Sequence, residues 1–311
     1  MGKKLESTLA VLNGLVGDHL ARTRNGLETP MELVPGASSA SAPSPRVVVL
    51  VHGLMNTEAI WEFPEGGDYG SFLARDAGFT PFYVRYNTGL PIVDNGVALA
   101  ALLDALTRTY PVPIEEILLI GYSMGGLVVR SACHAAAARE SAFLPLVRQA
   151  IYVGTPHLGA PYERAGRIVS SLLRAINDPY TRLIADIANL RSAGLQYLGD
   201  ADLRHEDRER RTARLHLADW RHPVPLLPSM KHHLIAGTLS DAPWLRELFG
   251  DAVVPVPSAL AHDGAASLAT SVRVIPGLSH VAIAHDPLVY AQILEWAGAG
   301  PAAVVDRSGA P

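Results

Sequence analysis

The chain has 311 residues, 49% apolar and 18% charged, enough to bury the core of one large α/β domain with insertions or of two average domains. Its formal charge of −4, from 26 basic and 30 acidic groups, supplies no general attraction to nucleic acid, and none is expected as a partner. Cys133 is the only cysteine, which excludes an intramolecular disulfide and leaves a reducing, cytoplasmic setting as the expectation.

The N-terminus opens on two lysines, but the longest early apolar run, 9–12, is too short for a signal peptide core. Leu5, Leu9, Leu12, Val16 and Leu20 recur at spacings of 3 and 4 and predict an amphipathic helix within segment 1–34 that docks on the body. "PGASSASAPSP", residues 35–45, is a linker by composition. "RVVVLVHG" then reads as a buried strand from residue 46. Strands at 80–86, 117–120 and 149–153 alternate with helices at 94–109 and 124–139, which predicts a mostly parallel sheet with helices on both faces.

From about 157 to 229 the alternation stops. Ala165, Ile168, Val169, Leu172, Leu173 and Ile176 mark one amphipathic helix, and Leu183, Ile184, Ile187 and Leu190 another, so this stretch reads as a helical cap insertion. Its end holds "RHEDRERRTAR", residues 204–214, a mixed-sign run read as solvated surface. Strand signals return at 233–236 and 272–275, and a closing helix at 287–297 completes the main domain, 46–297. The tail, 298–311, is expected to be disordered. No stretch of 18 apolar residues occurs, so no transmembrane helix is expected.

The most informative stretch is "LIGYSMGGL", residues 119–127. Gly-x-Ser-x-Gly recurs by chance, but here it lies where a strand turns into a helix, the setting of a nucleophile elbow. Such a turn strains the serine backbone and brings chain segments nearly into contact, and Gly121, Gly125 and Gly126 leave the room. It aims the Ser123 hydroxyl past the strand's carboxyl end, beside a helix N-terminus that favours negative charge. The Met124 N–H is then one candidate oxyanion donor.

In order along the chain, "VLVHGL", "GYSMGG", "VGTPHLGAP", "DAVVPVPSA" and "SHVAIAHDP" resemble the α/β-hydrolase superfamily, and within it the lipase-like serine esterases. The resemblance covers roughly 46–297 and implies the α/β-hydrolase fold, with Ser123, Asp251 and His280 in the family order of nucleophile, acid and base. It implies the second oxyanion donor as the backbone N–H of Leu54. It also implies that His52 and His157 order loops rather than do chemistry. His280 follows the strand at 272–275 by a short loop; its rival, His285, lies later, at the start of the closing helix. For the acid, Asp241 is the alternative, being nearer the end of the preceding strand; Asp263 is a third candidate, and Asp286 reads as a helix cap.

The expectation is a carboxylic-ester hydrolase working through an acyl-serine on a small-molecule ester or lipid. A lysophospholipase, thioesterase, amidase or acyltransferase would use the same triad, and a non-catalytic binding protein is the alternative of another class. Leu54, Met55 and Trp61 suggest an apolar acyl pocket under the cap. His216, His222, His232 and His233 lack zinc-ligand spacing, and adjacent histidines on a strand face opposite ways. No metal or cofactor is expected, and Cys133 reads as a small buried hydrophobe.

Overall fold

A computed structural model describes residues 2–36, 42–157, 226–238 and 271–298. Most of the cap stretch, the charged run at 204–214, the tail and the candidate acids Asp241, Asp251 and Asp263 lie outside the described residues, as do His216 and His222.

Among the described residues seven strands form one sheet in the order β1-β3-β2-β4-β5-β6-β7. They are β1 (Glu32–Pro35), β2 (Arg46–Val51), β3 (Thr80–Arg85), β4 (Glu116–Tyr122), β5 (Val147–Val153), β6 (Lys231–Thr238) and β7 (Ser271–Pro276). Only the edge strand β1 runs antiparallel, to β3; every other pair is parallel. β2 and β4 are buried almost end to end, as strands covered on both faces must be, and their unbroken Val, Ile and Leu runs satisfy that demand. β1 is short, holds a proline and pairs on one side, so it leaves little apolar periodicity to read.

Among the described residues the helices are α1 (Lys3–Arg22), α2 (Tyr69–Ala77), α3 (Ile92–Thr109), α4 (Met124–Arg139) and α5 (Pro287–Trp296). α1, α3 and α4 contribute Val11, Leu99, Leu103 and Leu127 to the core on one face of the sheet. α2 and α5 contribute Tyr69, Leu73, Ile293 and Leu294 to the core on the other. The sequence pattern did not reveal α2, whose start is instead written in a cap: Asp68 accepts the Ser71 N–H, and the Ser71 hydroxyl meets the Asp68 backbone N–H. Arg46, at the foot of β2, donates to Glu116 (2.8 Å) and to the carbonyls of Ala77 (2.7 Å) and Ala297 (2.9 Å), tying the ends of α2 and α5 to the central strands.

α1 docks on the body, but by a face turned from the predicted stripe. Of the stripe only Leu20 is buried; Leu5 is exposed and Leu9, Leu12 and Val16 are only half-buried, whereas Val11, Asn13, Gly14, Leu15 and Gly17 are buried. Small residues mark the contact because helix backbone approaches the body there, and a scan for large apolar side chains passes over them. The helix kinks at Val16 (φ −137°, ψ 19°).

The chain runs from β2 to β3 on one side of the sheet, then crosses back to β4 on the other. The carboxyl ends of β2 and β4 therefore flank the point where the winding reverses, the place where open α/β sheets gather their ligands.

Candidate active site

β4 ends at Tyr122, and α4 begins at Met124. Ser123 joins them with φ +52° and ψ −126°, left-handed backbone that a non-glycine residue adopts only when its surroundings enforce it. Enforcement comes from both sides. The Ser123 N–H donates to the Val153 carbonyl (2.9 Å), and its carbonyl accepts the Gly126 N–H (3.1 Å). A Cβ at Gly121 would stand 2.5 Å from Gly126 Cα, and one at Gly125 would run into the carbonyls of Val51 and His52. Strand, turn and helix can meet this closely only through glycine.

His280 arrives from the far edge of the sheet. β7 ends in a turn at Gly277 (φ +77°), and the Leu278 N–H donates to the Thr238 carbonyl of β6 (3.1 Å). The Tyr122 hydroxyl donates to the His280 carbonyl (2.8 Å), and the two rings lie 5.2 Å apart. His280 Nε2 then sits 2.9 Å from Ser123 Oγ, although 157 residues separate them in sequence. Both side chains are buried. The rival His285 is turned elsewhere, its Nδ1–H donating to the Ile60 carbonyl (3.0 Å).

The loop after β2 lies against the same serine: a Cβ at Gly53 would come 2.9 Å from Ser123 Cβ. Leu54 follows Gly53 directly in sequence, and Met124 heads α4, where backbone N–H groups have no acceptor within the helix. His52 braces this loop, its Nδ1–H donating to the Gly53 carbonyl (2.9 Å). Burial lowers its pKa to about 4, outweighing the rise from that bond, so the ring is neutral at pH 7. His157 pairs instead with Arg130 (2.9 Å) and packs on Tyr152, and burial first and Arg130 second hold its pKa well down.

The apolar trio near the loop divides between the two cores. Leu54 and Met55 belong to the core under α1, α3 and α4; Trp61 lies on the other face, edge-on to Tyr122 (6.0 Å) and tilted against Tyr69 (5.7 Å). His232 stacks on Tyr152 and His233 on Trp296, opposite faces of β6 as strand alternation requires. Among the described residues no three His, Cys, Asp or Glu side chains converge as metal ligands. Burial pushes the Cys133 thiol up to about 12, leaving it an inert core residue.

Sequence reasoning missed Tyr122 as the anchor of the histidine loop, although it lies within the "GYSMGG" motif. It also missed Thr88, whose hydroxyl accepts the Met55 N–H (3.1 Å), and the left-handed backbone of Met55 (φ +60°). Neither carries a local signal, because Met55 and Thr88 meet only when the sheet forms.

A mostly parallel sheet wound in this order, with a serine on a strained strand-to-helix turn, defines an α/β hydrolase architecture. The sequence signature of the alpha/beta hydrolase family matches residues 48–293, and the chain belongs to that family. Among solved structures it is similar to the mature form of Bacillus licheniformis lipase BlEst2, with a TM-score of 0.53, 20% identity and coverage of 86% of this chain and 98% of that one. It is also similar to the RedJ thioesterase of the prodiginine biosynthetic pathway in Streptomyces coelicolor, with a TM-score of 0.50, 14% identity and coverage of 85% and 91%. At these identities the likeness is one of fold. No curated protein matches the chain in sequence. Among the described residues no helix is long and apolar enough to cross a membrane.

Proposed function

We propose that the protein is a carboxylic-ester hydrolase in which Ser123 is the nucleophile, His280 the general base and acid, and Asp251 the carboxylate that orients His280. The observation that carries this reading is the 2.9 Å approach of His280 Nε2 to Ser123 Oγ at a left-handed residue heading a helix. A buried serine and histidine in hydrogen-bond contact at the carboxyl ends of parallel strands suit nucleophilic acyl transfer.

Ser123 Oγ attacks the ester carbonyl carbon while its proton passes to His280 Nε2. The carbonyl's π electron pair moves to oxygen, and the backbone N–H groups of Leu54 and Met124 donate to that oxyanion. Collapse re-forms the carbonyl and breaks the bond to the leaving alkoxide, which takes the proton from His280 and departs as alcohol. Water then gives its proton to His280 Nε2 and its oxygen to the acyl carbon. The acid leaves, and the proton returns to Ser123 Oγ. Asp251, accepting from Nδ1, would hold the imidazole in the tautomer that leaves Nε2 free to take the proton.

The test is hydrolysis of p-nitrophenyl esters, from short to long acyl chain, by wild type and Ser123→Ala. Turnover by wild type that vanishes in the variant is expected, and the chain-length optimum sizes the acyl pocket. Equal rates in both proteins, or none in either, would remove simple ester hydrolysis.

A further inference from the structure

We infer that the N-terminal helix α1 is a positioning element of the active site, aiming the Leu54 N–H at the oxyanion through Met55 and Thr88. The inference rests on the acyl-serine reading above.

The Leu54 N–H belongs to the Gly53–Leu54 peptide. That peptide's carbonyl accepts the Nδ1–H of His52 (2.9 Å) and the backbone N–H of Asn56 (3.4 Å). In a trans peptide, N–H and C=O point opposite ways, so the Leu54 N–H is turned away from His52 and Asn56. The next peptide is held as firmly: the Leu54 carbonyl accepts from Asn56 Nδ2 (2.9 Å), and the Met55 N–H donates to Thr88 Oγ1 (3.1 Å). With both peptide planes fixed, the direction of the Leu54 N–H is fixed too.

Met55 is held there at φ +60°, left-handed backbone that a non-glycine residue keeps only when its surroundings enforce it. α1 lies directly upon it. A Cβ at Gly14 would collide with Met55 Cγ and stand 3.3 Å from Met55 Cα. One kinked turn later, a Cβ at Gly17 would collide with the Asn87 carboxamide. Asn87 Nδ2 donates to the Gly17 carbonyl (2.9 Å), while Asn87 Oδ1 accepts the Gly89 N–H (3.0 Å). Asn87 thereby ties α1 to the turn that carries Thr88. Val11 and Leu15 share a buried core with Leu54 and Met55. The contact runs from α1 to both halves of the loop, by backbone approach and buried hydrogen bonds rather than by apolar packing alone.

In the full chain, Thr88→Val removes the acceptor for the Met55 N–H at constant volume, Thr88→Ser keeps it, and Gly14→Ala presses on Met55 from α1. Turnover of p-nitrophenyl butyrate, inhibition by an alkyl trifluoromethyl ketone and thermal melting are measured together. Losing one aimed donor costs ~100-fold in kcat when complete. Thr88→Val and Gly14→Ala are expected to lower kcat by ~10- to 100-fold at nearly unchanged KM, and to weaken the ketone, which binds as a tetrahedral oxyanion, by a similar factor. Thr88→Ser should recover most of both, and Met55→Ala added to Gly14→Ala should restore part. If Thr88→Val and Gly14→Ala shift only the melting temperature, α1 is a strut and the inference is wrong. A wild type that neither turns over the ester nor binds the ketone overturns the esterase reading itself, and this inference with it.

Discussion

Ser123 is held in a conformation that costs about 1–3 kcal/mol for a residue with a side chain, against a network of glycines and backbone hydrogen bonds that leaves it no other. That strain lifts Oγ clear of the turn and into the reach of His280 Nε2. In the proposed reaction the oxygen and the imidazole are thus oriented before substrate arrives, which is where much of the advantage of a positioned nucleophile originates. The third member of the proposed triad can be tested at the same scale. Asp251→Asn should lower turnover by ~10⁴-fold through loss of the correct histidine tautomer, with an unchanged circular dichroism spectrum. If Asp241→Asn does this and Asp251→Asn does not, the acid is Asp241.

At the scale of elements, each described group of the proposed site follows the end of a strand. β2 delivers Gly53 and Leu54, β4 delivers Ser123, and β7 delivers His280, with Tyr122 bracing the last to the second. α5 begins immediately after this assembly, at Asp286, whose side chain accepts the Leu288 N–H (2.8 Å). The backbone of Asp286 is in turn held by the Tyr69 hydroxyl, which accepts the Asp286 N–H (2.9 Å). This is the work of an N-cap, followed by Pro287 at the first helical position. Asp286→Ala should therefore cost about 1 kcal/mol in urea unfolding while ester turnover stays near wild type. A collapse of turnover at unchanged stability would instead make Asp286 part of the chemistry.

At the scale of the whole molecule, the close-packed cores on the two faces of the sheet enclose several histidines that bear no charge at pH 7. Burial lowers His52 and His233 to about 4 and holds His157 well below the ordinary 6.5. A histidine depressed in the folded state takes up its proton first in the unfolded chain. Its contribution to stability is present above the unfolded value and is lost as pH falls from about 6.5 toward 4. Within that window each histidine that stays neutral removes up to about 1.4 kcal/mol per pH unit. Urea unfolding at pH 7 and pH 5 should show a marked loss at the lower pH. His52→Asn, which keeps a donor for the Gly53 carbonyl, should reduce the slope by about one proton; an unchanged slope would mean that His52 is not among the groups responsible.

Much of this was legible along the chain because it is written in local chemistry. Unbroken Val, Ile and Leu runs imply buried strands, their alternation with helical periods implies a parallel sheet, and glycines around Ser123 imply a turn too tight for side chains. The motif order singles out His280 among twelve histidines. Other features had no local signature. Strand order decides that the loops after β2 and β4 face one another, and a single period says nothing about neighbours. The buried face of α1 departs from the apolar stripe except at Leu20, because backbone contact selects Gly14 and Gly17, where a stripe selects leucines. The left-handed Met55 and its bond to Thr88 belong to two loops that meet only across the assembled sheet. Sequence alone thus determined which groups could do chemistry and on which kinds of element they ride. Only the tertiary structure decided which of them touch, because distance between remote residues is set by packing rather than by periodicity.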